Sequence, residues 1–215
     1  MKNLVLIGGG GHCKAVLDSV IRMGTFDKIV ITDPSIPAGT IVMGCEVIGT
    51  DDCLMDLYEN GFKYAFVTVG SVGLNPIRER LVSRAAALGF QFPNIIDPSA
   101  IVAESAIIGD GVFLGKNIIV NAYTEVGDHC IINTGTIIEH ECRIGIFAHI
   151  SIGSILCGNV NVGKNSFIGA GSIVIQCHCI GDNVVIGAGA VVNKDIPSNC
   201  TAVGFPARVI RENGK

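Results

Sequence analysis

The chain of 215 residues is 49% apolar and 16% charged, and its formal net charge is −4. The acidic balance and the lack of a Lys/Arg-rich run exclude an electrostatic footprint for nucleic acid. The apolar start is too short for a signal peptide, and the uncharged stretch 165–181 is too rich in polar residues and glycine for a membrane span. We therefore expect no membrane partner, and nine free cysteines in a reducing cytoplasm.

The first third of the chain predicts an α/β domain. The predicted elements, in chain order, are a strand over 2–7, a glycine turn over 8–11, a helix over 12–23, strands over 28–33 and 64–70, and a helix over 75–89. A strand, a glycine turn, a helix and a second strand that ends in Asp33 are typical of a Rossmann-like nucleotide-binding domain. Cys13 stands where the dinucleotide fingerprint needs a small residue. Two hypotheses therefore stay open: the turn faces phosphates at a helix N-terminus, or it only lets strand and helix pack closely.

From Ile96 onward an aliphatic residue recurs at every sixth position. These positions are Ile96, Val102, Ile108, Leu114, Val120, Val126, Ile132, Ile138, Ile144, Ile150, Leu156, Val162, Ile168, Val174, Ile180, Ile186 and Val192. Glycine often follows the aliphatic residue, and a small or β-branched residue often stands four positions after it. A period of six does not fit an α-helix, whose period is about 3.6, but it fits short strands separated by Gly/Asn turns.

Four segments carry a family resemblance: "LVLIGGGGHCKAVLD", "VTVG…IRERL", "INTGTIIEHECRIGIFAHISIG" and "AVGFPARVI". Together they resemble the hexapeptide-repeat sugar acetyltransferases, namely the bacillosamine- and perosamine-pathway N-acetyltransferases and the sialic-acid O-acetyltransferases. The resemblance implies a Rossmann-like nucleotide-sugar-binding domain over 1–92. It further implies an all-β left-handed parallel β-helix over 93–215, with three hexads in each triangular coil.

The resemblance also implies the roles of particular residues. The implied catalytic residues are His140 as general base, Glu141, which increases the basicity of His140, and Asn133. The implied acetyl-CoA contacts are His149, Gly158, Ala170 and Ala188. The implied nucleotide-sugar contacts are Gly10, Gly11, His12, Asp33 and Gly70. The resemblance implies acetyl-CoA as co-substrate and no metal.

The hexad pattern gives an independent prediction for His140 and Glu141. Because Ile138 points inward, the two residues fall at a corner, where both side chains can lean outward and interact. A carboxylate beside an imidazole stabilises its charged form, which suits a base that works near neutral pH. The residues alone leave open that a β-helix corner simply tolerates polar side chains. Cys142 stands at a small inward position, so we expect it to be buried and inert as a nucleophile.

The other histidines receive separate predictions. His149 directly precedes the inward Ile150 and is expected to face outward. His129 is predicted to lie in a solvated turn, and His178 to have a structural role. The cluster Cys177–Cys179 is a poor zinc set, because adjacent residues cannot easily surround a tetrahedral ion.

The implied activity is direct, acetyl-CoA-dependent N-acetylation of a UDP- or GDP-linked amino-deoxysugar for glycan biosynthesis. A diphosphate suits a glycine turn at a helix N-terminus, whereas free sialic acid would leave that turn idle. Three alternatives stay open: a sialic-acid O-acetyltransferase, a non-catalytic nucleotide-sugar sensor, and a metal-dependent carbonic-anhydrase-like protein. The last would use His129, His140 and His149 as ligands.

We also expect a homotrimer with acetyl-CoA in the groove between neighbouring prisms. Outward apolar residues, for example Phe113, Phe147 and Phe167, would form exposed patches on a lone prism. Closed rotational symmetry would bury them without leaving an open edge.

Overall fold

The computed structural model describes residues 1–70, 73–74 and 76–212. The chain divides into a first unit, Met1–Gly70 with Pro76–Ile95, and a second unit that contains Gly73, Leu74 and the chain from Ile96 onward. The predicted start of the last N-terminal helix, at Asn75, lies outside the described residues. Across the described ranges no helix is both long and apolar enough to cross a membrane.

The first unit has a five-stranded sheet flanked by helices. Its elements are β1 (Asn3–Ile7), α1 (Gly11–Met23), β2 (Lys28–Thr32), β3 (Ile41–Val42), β4 (Cys45–Gly49), a 3₁₀ turn (Asp51–Cys53), α2 (Leu54–Glu59), β5 (Phe62–Val67) and α3 (Pro76–Ala87). The strand order is β3-β4-β2-β1-β5, and only the β3–β4 pair is antiparallel. The predictions of β1, α1, β2, β5 and α3 are confirmed, whereas β3, β4 and α2 were not predicted.

The apolar pattern of the first unit explains its layers. Leu4 to Ile7 of β1 are fully buried, as expected for a central parallel strand with both faces covered. Helix α1 turns one face to the core, and its buried residues are Cys13, Val16, Leu17, Ser19 and Val20. The helix ends at Gly24, whose left-handed backbone (φ 62°) lets its N–H donate to the carbonyls of Val20 and Ile21.

The second unit is a triangular prism of two-residue parallel strands. These are β6 (Ile95–Ile96), β7 (Ile101–Val102), β8 (Ile107–Ile108), β9 (Phe113–Leu114), β10 (Ile119–Val120), β11 (Glu125–Val126), β12 (Ile131–Ile132), β13 (Ile137–Ile138), β14 (Arg143–Ile144), β15 (His149–Ile150), β16 (Ile155–Leu156), β17 (Asn161–Val162), β18 (Phe167–Ile168), β19 (Ile173–Val174), β20 (Cys179–Ile180), β21 (Val185–Ile186) and β22 (Val191–Val192). Each strand pairs with the strand three further along the chain. All the strands that the six-residue period predicted are therefore present.

Three sheets form the sides of the prism. The first face holds β6, β9, β12, β15, β18 and β21, extended by β23 (Cys200–Val203) and the antiparallel β24 (Arg208–Glu212). The second face holds β7, β10, β13, β16, β19 and β22, and the third face holds β8, β11, β14, β17 and β20. In the middle coil the first corner spans residues 133–136, between the first and second faces. The second corner spans 139–142, and the third corner, 145–148, returns to the first face.

Small residues at the corners tie successive coils together. The inward hydroxyl of Thr136 donates to the carbonyl of Ser151 at 3.0 Å, and that of Ser154 donates to the carbonyl of Gly169 at 2.9 Å. The thiol of Cys142 donates to the carbonyl of Cys157 in the same way, at 3.2 Å. Each of these hydrogen bonds is accepted by a corner carbonyl that takes no part in strand pairing. This explains why small polar residues alternate with aliphatic ones inside the prism.

One expectation about the outer surface is wrong. Phe113 and Phe167 point away from the prism core, but they are only 1% and 8% exposed. They lie on the first face and form no exposed patch. The apolar surface is instead on the second face, whose outward residues are all aliphatic and at least partly exposed: Ile101, Ile119, Ile137, Ile155, Ile173 and Val191. The repeat predicts which way these side chains point, but it does not predict how much of each is exposed.

Candidate active site

His140 and Glu141 form the tip of the second corner, directly after β13. Glu141 has a left-handed backbone (φ 60°), and its N–H donates to the carbonyl of Ala122 in the preceding coil at 2.9 Å. Nδ1 of His140 lies 3.1 Å from Oε2 of Glu141, and the two side chains are 58% and 63% exposed. The predicted pairing of the two side chains at an outward corner is confirmed.

Gly158 lies against the imidazole of His140, one coil further along the same corner. A Cβ placed on Gly158 would come within 2.6 Å of both Cε1 and Nε2 of His140. Only glycine leaves room for the ring in this orientation. Because Glu141 holds Nδ1, the Nε2 lone pair is the one that can accept a proton.

Cys142, the cysteine that directly follows the His140–Glu141 pair, is a poor nucleophile. Cys142 is fully buried, as predicted, and burial raises the pKa of its thiol to about 11. The thiolate, which is the reactive form, is therefore scarce at neutral pH. All nine cysteines of the chain are free thiols.

Three further predicted residues lie on the first corner. Asn133 is half-buried, and its Oδ1 accepts a hydrogen bond from the N–H of Thr134 at 2.8 Å. Ala170 and Ala188 are exposed and lie one above the other in adjacent coils. The width of the second face separates this corner from His140, a span of up to ~20 Å for seven nearly extended residues. Within one chain, Asn133 and His140 thus lie on different corners, at opposite edges of the second face.

The other histidines differ partly from expectation. His149 points away from the prism core, as predicted, but it is only 6% exposed and packs edge-on against Phe167, with ring centroids 5.1 Å apart. His129 is not simply solvated, because its ring stacks on Phe147 at 5.0 Å. The prediction was wrong because Phe147, one coil away from His129, provides a stacking partner that the local sequence around His129 does not show. Nδ1 of His178 lies 3.1 Å from a carboxylate oxygen of Asp195.

The three histidines of the carbonic-anhydrase hypothesis lie on different parts of the prism. His129 is on the third corner, His140 on the second corner and His149 on the first face. Over the ranges that the structure covers, no three His, Cys, Asp or Glu side chains are grouped as metal ligands. The geometry of one chain gives that hypothesis no support.

The four glycines after β1 fall into two pairs. A Cβ on Gly8 would come within 2.8 Å of Val69, and a Cβ on Gly9 within 2.6 Å of Ile36. A Cβ on Gly10 or Gly11 would meet no atom of the described residues within 4 Å. Packing therefore explains the first pair but not the second, which lies at the N-terminus of α1. The second pair favours the hypothesis that the turn faces a ligand.

Asp33 holds the glycine turn in place. Its Oδ2 accepts a hydrogen bond from the N–H of Gly9 at 2.6 Å, and its Oδ1 accepts from the N–H groups of Ser35 and Ile36. Asp33 was predicted to contact a base or ribose, and the structure adds a backbone role that the sequence did not reveal.

His12 and Gly70 pack together beside this turn, since a Cβ on Gly70 would lie 3.2 Å from Cβ of His12. Burial and, secondarily, the positive charge of Arg78 lower the pKa of His12 to about 4. Arg78 is itself buried in α3. The burial of Arg78 was not predicted from the sequence, because an arginine in a helix with several charged neighbours gives no sign of burial.

An open groove of about 620 Å³ runs along the third face. Its lining includes the Glu125–Arg143 pair, whose side chains approach to 3.6 Å, and Asn161 in the next coil. The groove contains none of the predicted site residues, and we assign no ligand to it.

Comparisons with known proteins agree with this architecture. Residues 3–85 match the family model of the PglD N-terminal domain, and residues 105–139 and 159–194 match that of the hexapeptide repeat of succinyl-transferase. A curated relative, UDP-N-acetylbacillosamine N-acetyltransferase of Bacillus subtilis (strain 168), is 34% identical over 115 residues, 53% of this chain. That match spans about half, 51%, of the relative's length.

Several solved structures match nearly the whole chain. PerB from Caulobacter crescentus, in complex with CoA and GDP-perosamine, is 39% identical with a TM-score of 0.89, over 98% of each chain. The acetyltransferase domain of PglB from Neisseria gonorrhoeae FA1090, in complex with acetyl coenzyme A, is 39% identical with a TM-score of 0.90, over 97% of this chain and 99% of that one. This chain therefore belongs to the hexapeptide-repeat sugar acetyltransferases of the perosamine and bacillosamine type. Its fold class, a Rossmann-like domain followed by a left-handed parallel β-helix, is the predicted one.

Proposed function

We propose that the protein is an acetyl-CoA-dependent N-acetyltransferase that acts on the amino group of a nucleotide-linked amino-deoxysugar for glycan biosynthesis. The observation that carries this proposal is the exposed His140–Glu141 pair against Gly158. It occurs in a chain 39% identical over 98% of its length to a protein solved with CoA and GDP-perosamine.

His140 is the proposed general base. Glu141 accepts a hydrogen bond from Nδ1–H, so the lone pair of Nε2 takes the proton of the amine as its nitrogen attacks the thioester carbonyl. The carbon–sulfur bond then breaks, and the proton on His140 neutralises the CoA thiolate that leaves. The acetyl group passes directly to the amine in this proposal, and the burial and protonation of the nearby Cys142 argue against an acetyl-enzyme at that residue.

A homotrimer would complete this site. The exposed Ile101 and the partly exposed aliphatic residues of the other coils make the second face suited to burial against a second copy of the chain. The first and second corners border that face. A neighbouring chain could thus place its Asn133, Ala170 and Ala188 opposite His140 and Gly158, with acetyl-CoA between the two prisms and His149 as a further contact.

The trimer is tested by the mass of the protein in solution. Sedimentation at micromolar concentration should give three times the chain mass, and Ile137→Lys, in the middle of the second face, should give a monomer that has lost activity. A monomeric wild-type protein would contradict the proposal.

The nucleotide end of the acceptor is proposed to bind the first unit. The N-terminus of α1 offers unsatisfied N–H groups and a positive dipole end to a diphosphate, and Gly10 and Gly11 allow its close approach. Asp33 would orient the turn and contact base or ribose, and His12 and Gly70 would line the same site. The residues favour neither uracil nor guanine. We place the reaction in the cytoplasm, where nine thiols stay reduced.

The activity is tested with a panel of acceptors. The enzyme and acetyl-CoA are incubated separately with UDP- and GDP-linked 4-amino-sugars, CMP-sialic acid and free sialic acid, and thiol release is followed. We expect release only with the nucleotide-linked amino-sugars. Release only with the sialic acids would replace this proposal with an O-acetyltransferase.

A further inference from the structure

The prism has one residue with a left-handed backbone in every turn from Gly111 to Gly189, with φ between 53° and 70°. Residues with a side chain rarely adopt this conformation, and asparagine and glycine tolerate it best. Asparagine or glycine fills most of these turns. The exceptions are Tyr123, His129, Glu141, Phe147 and Cys177.

Contacts explain four of the five exceptions. Glu141 pairs with His140, and His129 and Phe147 stack on each other. Cys177 is small, and its Sγ accepts a long hydrogen bond from the side-chain amide of Asn159 at 3.8 Å. Tyr123 differs, because its large side chain is 71% exposed. A bulky residue that is backbone-strained and exposed is a candidate for a role outside the fold.

Tyr123 lies one coil below Glu141 on the second corner. The hydrogen bond from the N–H of Glu141 to the carbonyl of Ala122 fixes the two turns on each other, at the usual strand spacing of ~4.8 Å. The N–H of Tyr123 donates in turn to Oγ of Ser105, so the turn that carries the ring is held from below as well. The backbone that carries the exposed ring is thus fixed one coil from the His140–Glu141 pair, on the same corner.

The small residues around His140 separate two approaches to its ring. Gly158 lies one coil further along the corner, beside the groove in which the proposed function puts acetyl-CoA, and Ala122 lies one coil before His140. When acetyl-CoA, the acetyl donor, binds on the side of Gly158, the side of Ala122 and Tyr123 remains open to the acceptor sugar. A pyranose ring has a face of C–H groups, and an exposed phenol ring is a suitable surface for it.

We propose that Tyr123 binds the acceptor, with its aromatic ring stacked on the apolar face of the amino-sugar, an inference that rests on the proposed function. The side chain then sets which sugar can reach His140, and it is kept at a position where the fold alone would favour asparagine. Function and stability therefore make opposite demands on this residue.

The variant Tyr123→Asn tests the proposal, because a structural role and a binding role predict opposite changes in stability. We expect Tm to rise by ~2–4 °C, since asparagine relieves the backbone strain. We expect KM for the nucleotide-linked amino-sugar to rise roughly tenfold, while KM for acetyl-CoA stays within about twofold. Cys177→Asn is the matched control, on the same corner and with the same left-handed backbone (φ 62°). It should raise Tm and leave KM for the acceptor unchanged.

Tyr123→Phe keeps the ring and should retain KM for the acceptor to within about twofold. The proposal is overturned if Tyr123→Asn lowers Tm, if its acceptor KM equals that of wild type, or if the phenylalanine variant behaves like the asparagine variant. Wild-type turnover in the same assay reports on the proposed function separately. An inactive wild type contradicts the N-acetyltransferase proposal, whereas an active wild type with unchanged variants contradicts only the role of Tyr123.

Discussion

The candidate residues of the prism and those of the N-terminal unit relate differently to the fold. His140 and Glu141 project from a corner whose backbone the coil ladder already fixes, and the core lies inside the coil. In the first unit, Gly70 packs on His12, and the carboxylate of Asp33 holds the glycine turn. Activity and stability should therefore be separable in the prism and coupled in the N-terminal unit.

The largest effect on activity is expected for His140→Ala. Loss of the general base should lower kcat by ~10²–10⁴-fold, whereas Tm should change little, because the side chain is mostly exposed. Steady-state kinetics and thermal unfolding of one preparation check both statements. His129→Asn, on the third corner, should keep wild-type kcat, and full activity of His140→Ala would refute the role of the base.

A smaller effect is expected for Gly158→Ala. The added methyl group would lie 2.6 Å from the His140 ring, so the ring must move, and kcat should fall by ~10–100-fold. The change should be silent in a His140→Ala background, because no ring is left to displace. Equal losses in both backgrounds would show that Gly158 acts independently of His140.

Two glycines of the first unit test how far this coupling extends along the glycine turn, because Gly8 is closely packed and Gly10 is not. Gly8→Ala should lower the free energy of unfolding by about 1–3 kcal/mol, because φ is 106° and Val69 is too close. Gly10→Ala should leave stability nearly unchanged and raise KM for the nucleotide-sugar roughly tenfold, equivalent to about 1.4 kcal/mol of binding. Denaturant titration and acceptor kinetics measure the two effects. A stable Gly8→Ala protein, or unchanged acceptor KM in Gly10→Ala, would break the division between the two glycine pairs.

The last prediction concerns the pH dependence of stability and not activity. His12 titrates near ~6.5 in an unfolded chain but at about 4 in the folded protein. The unfolded state therefore binds more protons between these values, so the unfolding free energy falls as pH drops from about 6.5 to about 4. Above pH 6.5 His12 adds no pH dependence. The Tm of His12→Asn, relative to wild type, should rise steadily through this window on acidification, and a constant difference would contradict the buried neutral imidazole.

The repeat made the prism predictable from sequence, whereas the first unit was predicted only in outline. An inward aliphatic residue recurs in every hexad, so the position of each strand is predicted by its own residue and by the register of all the other hexads. The missed strand Ile41–Val42 has two residues in a stretch rich in proline and glycine, and such a segment carries no periodic signal. The short helix Leu54–Glu59 has too few turns to display one.

The candidate site was predictable to the level of single side chains but not of their surroundings. The motif around His140 predicted that His140 and Glu141 act as a pair, and the six-residue repeat predicted that both lie at a corner of the prism. The burial of His149 and the loss of Phe113 from the surface depend on what covers the first face, which local sequence does not specify. The backbone bonds of Asp33 likewise depend on the path of a turn that follows its strand.

Isotope exchange tests most directly the central claim, that an exposed histidine corner passes acetyl straight from the thioester to the amine. Acetyl-CoA and labelled CoA are incubated with the wild-type enzyme in the absence of any acceptor, and label in acetyl-CoA is measured. Direct transfer predicts no exchange, because no acetyl-enzyme forms to react with labelled CoA. Exchange at a rate comparable to turnover would contradict the claim and assign the acetyl group to a residue of the enzyme.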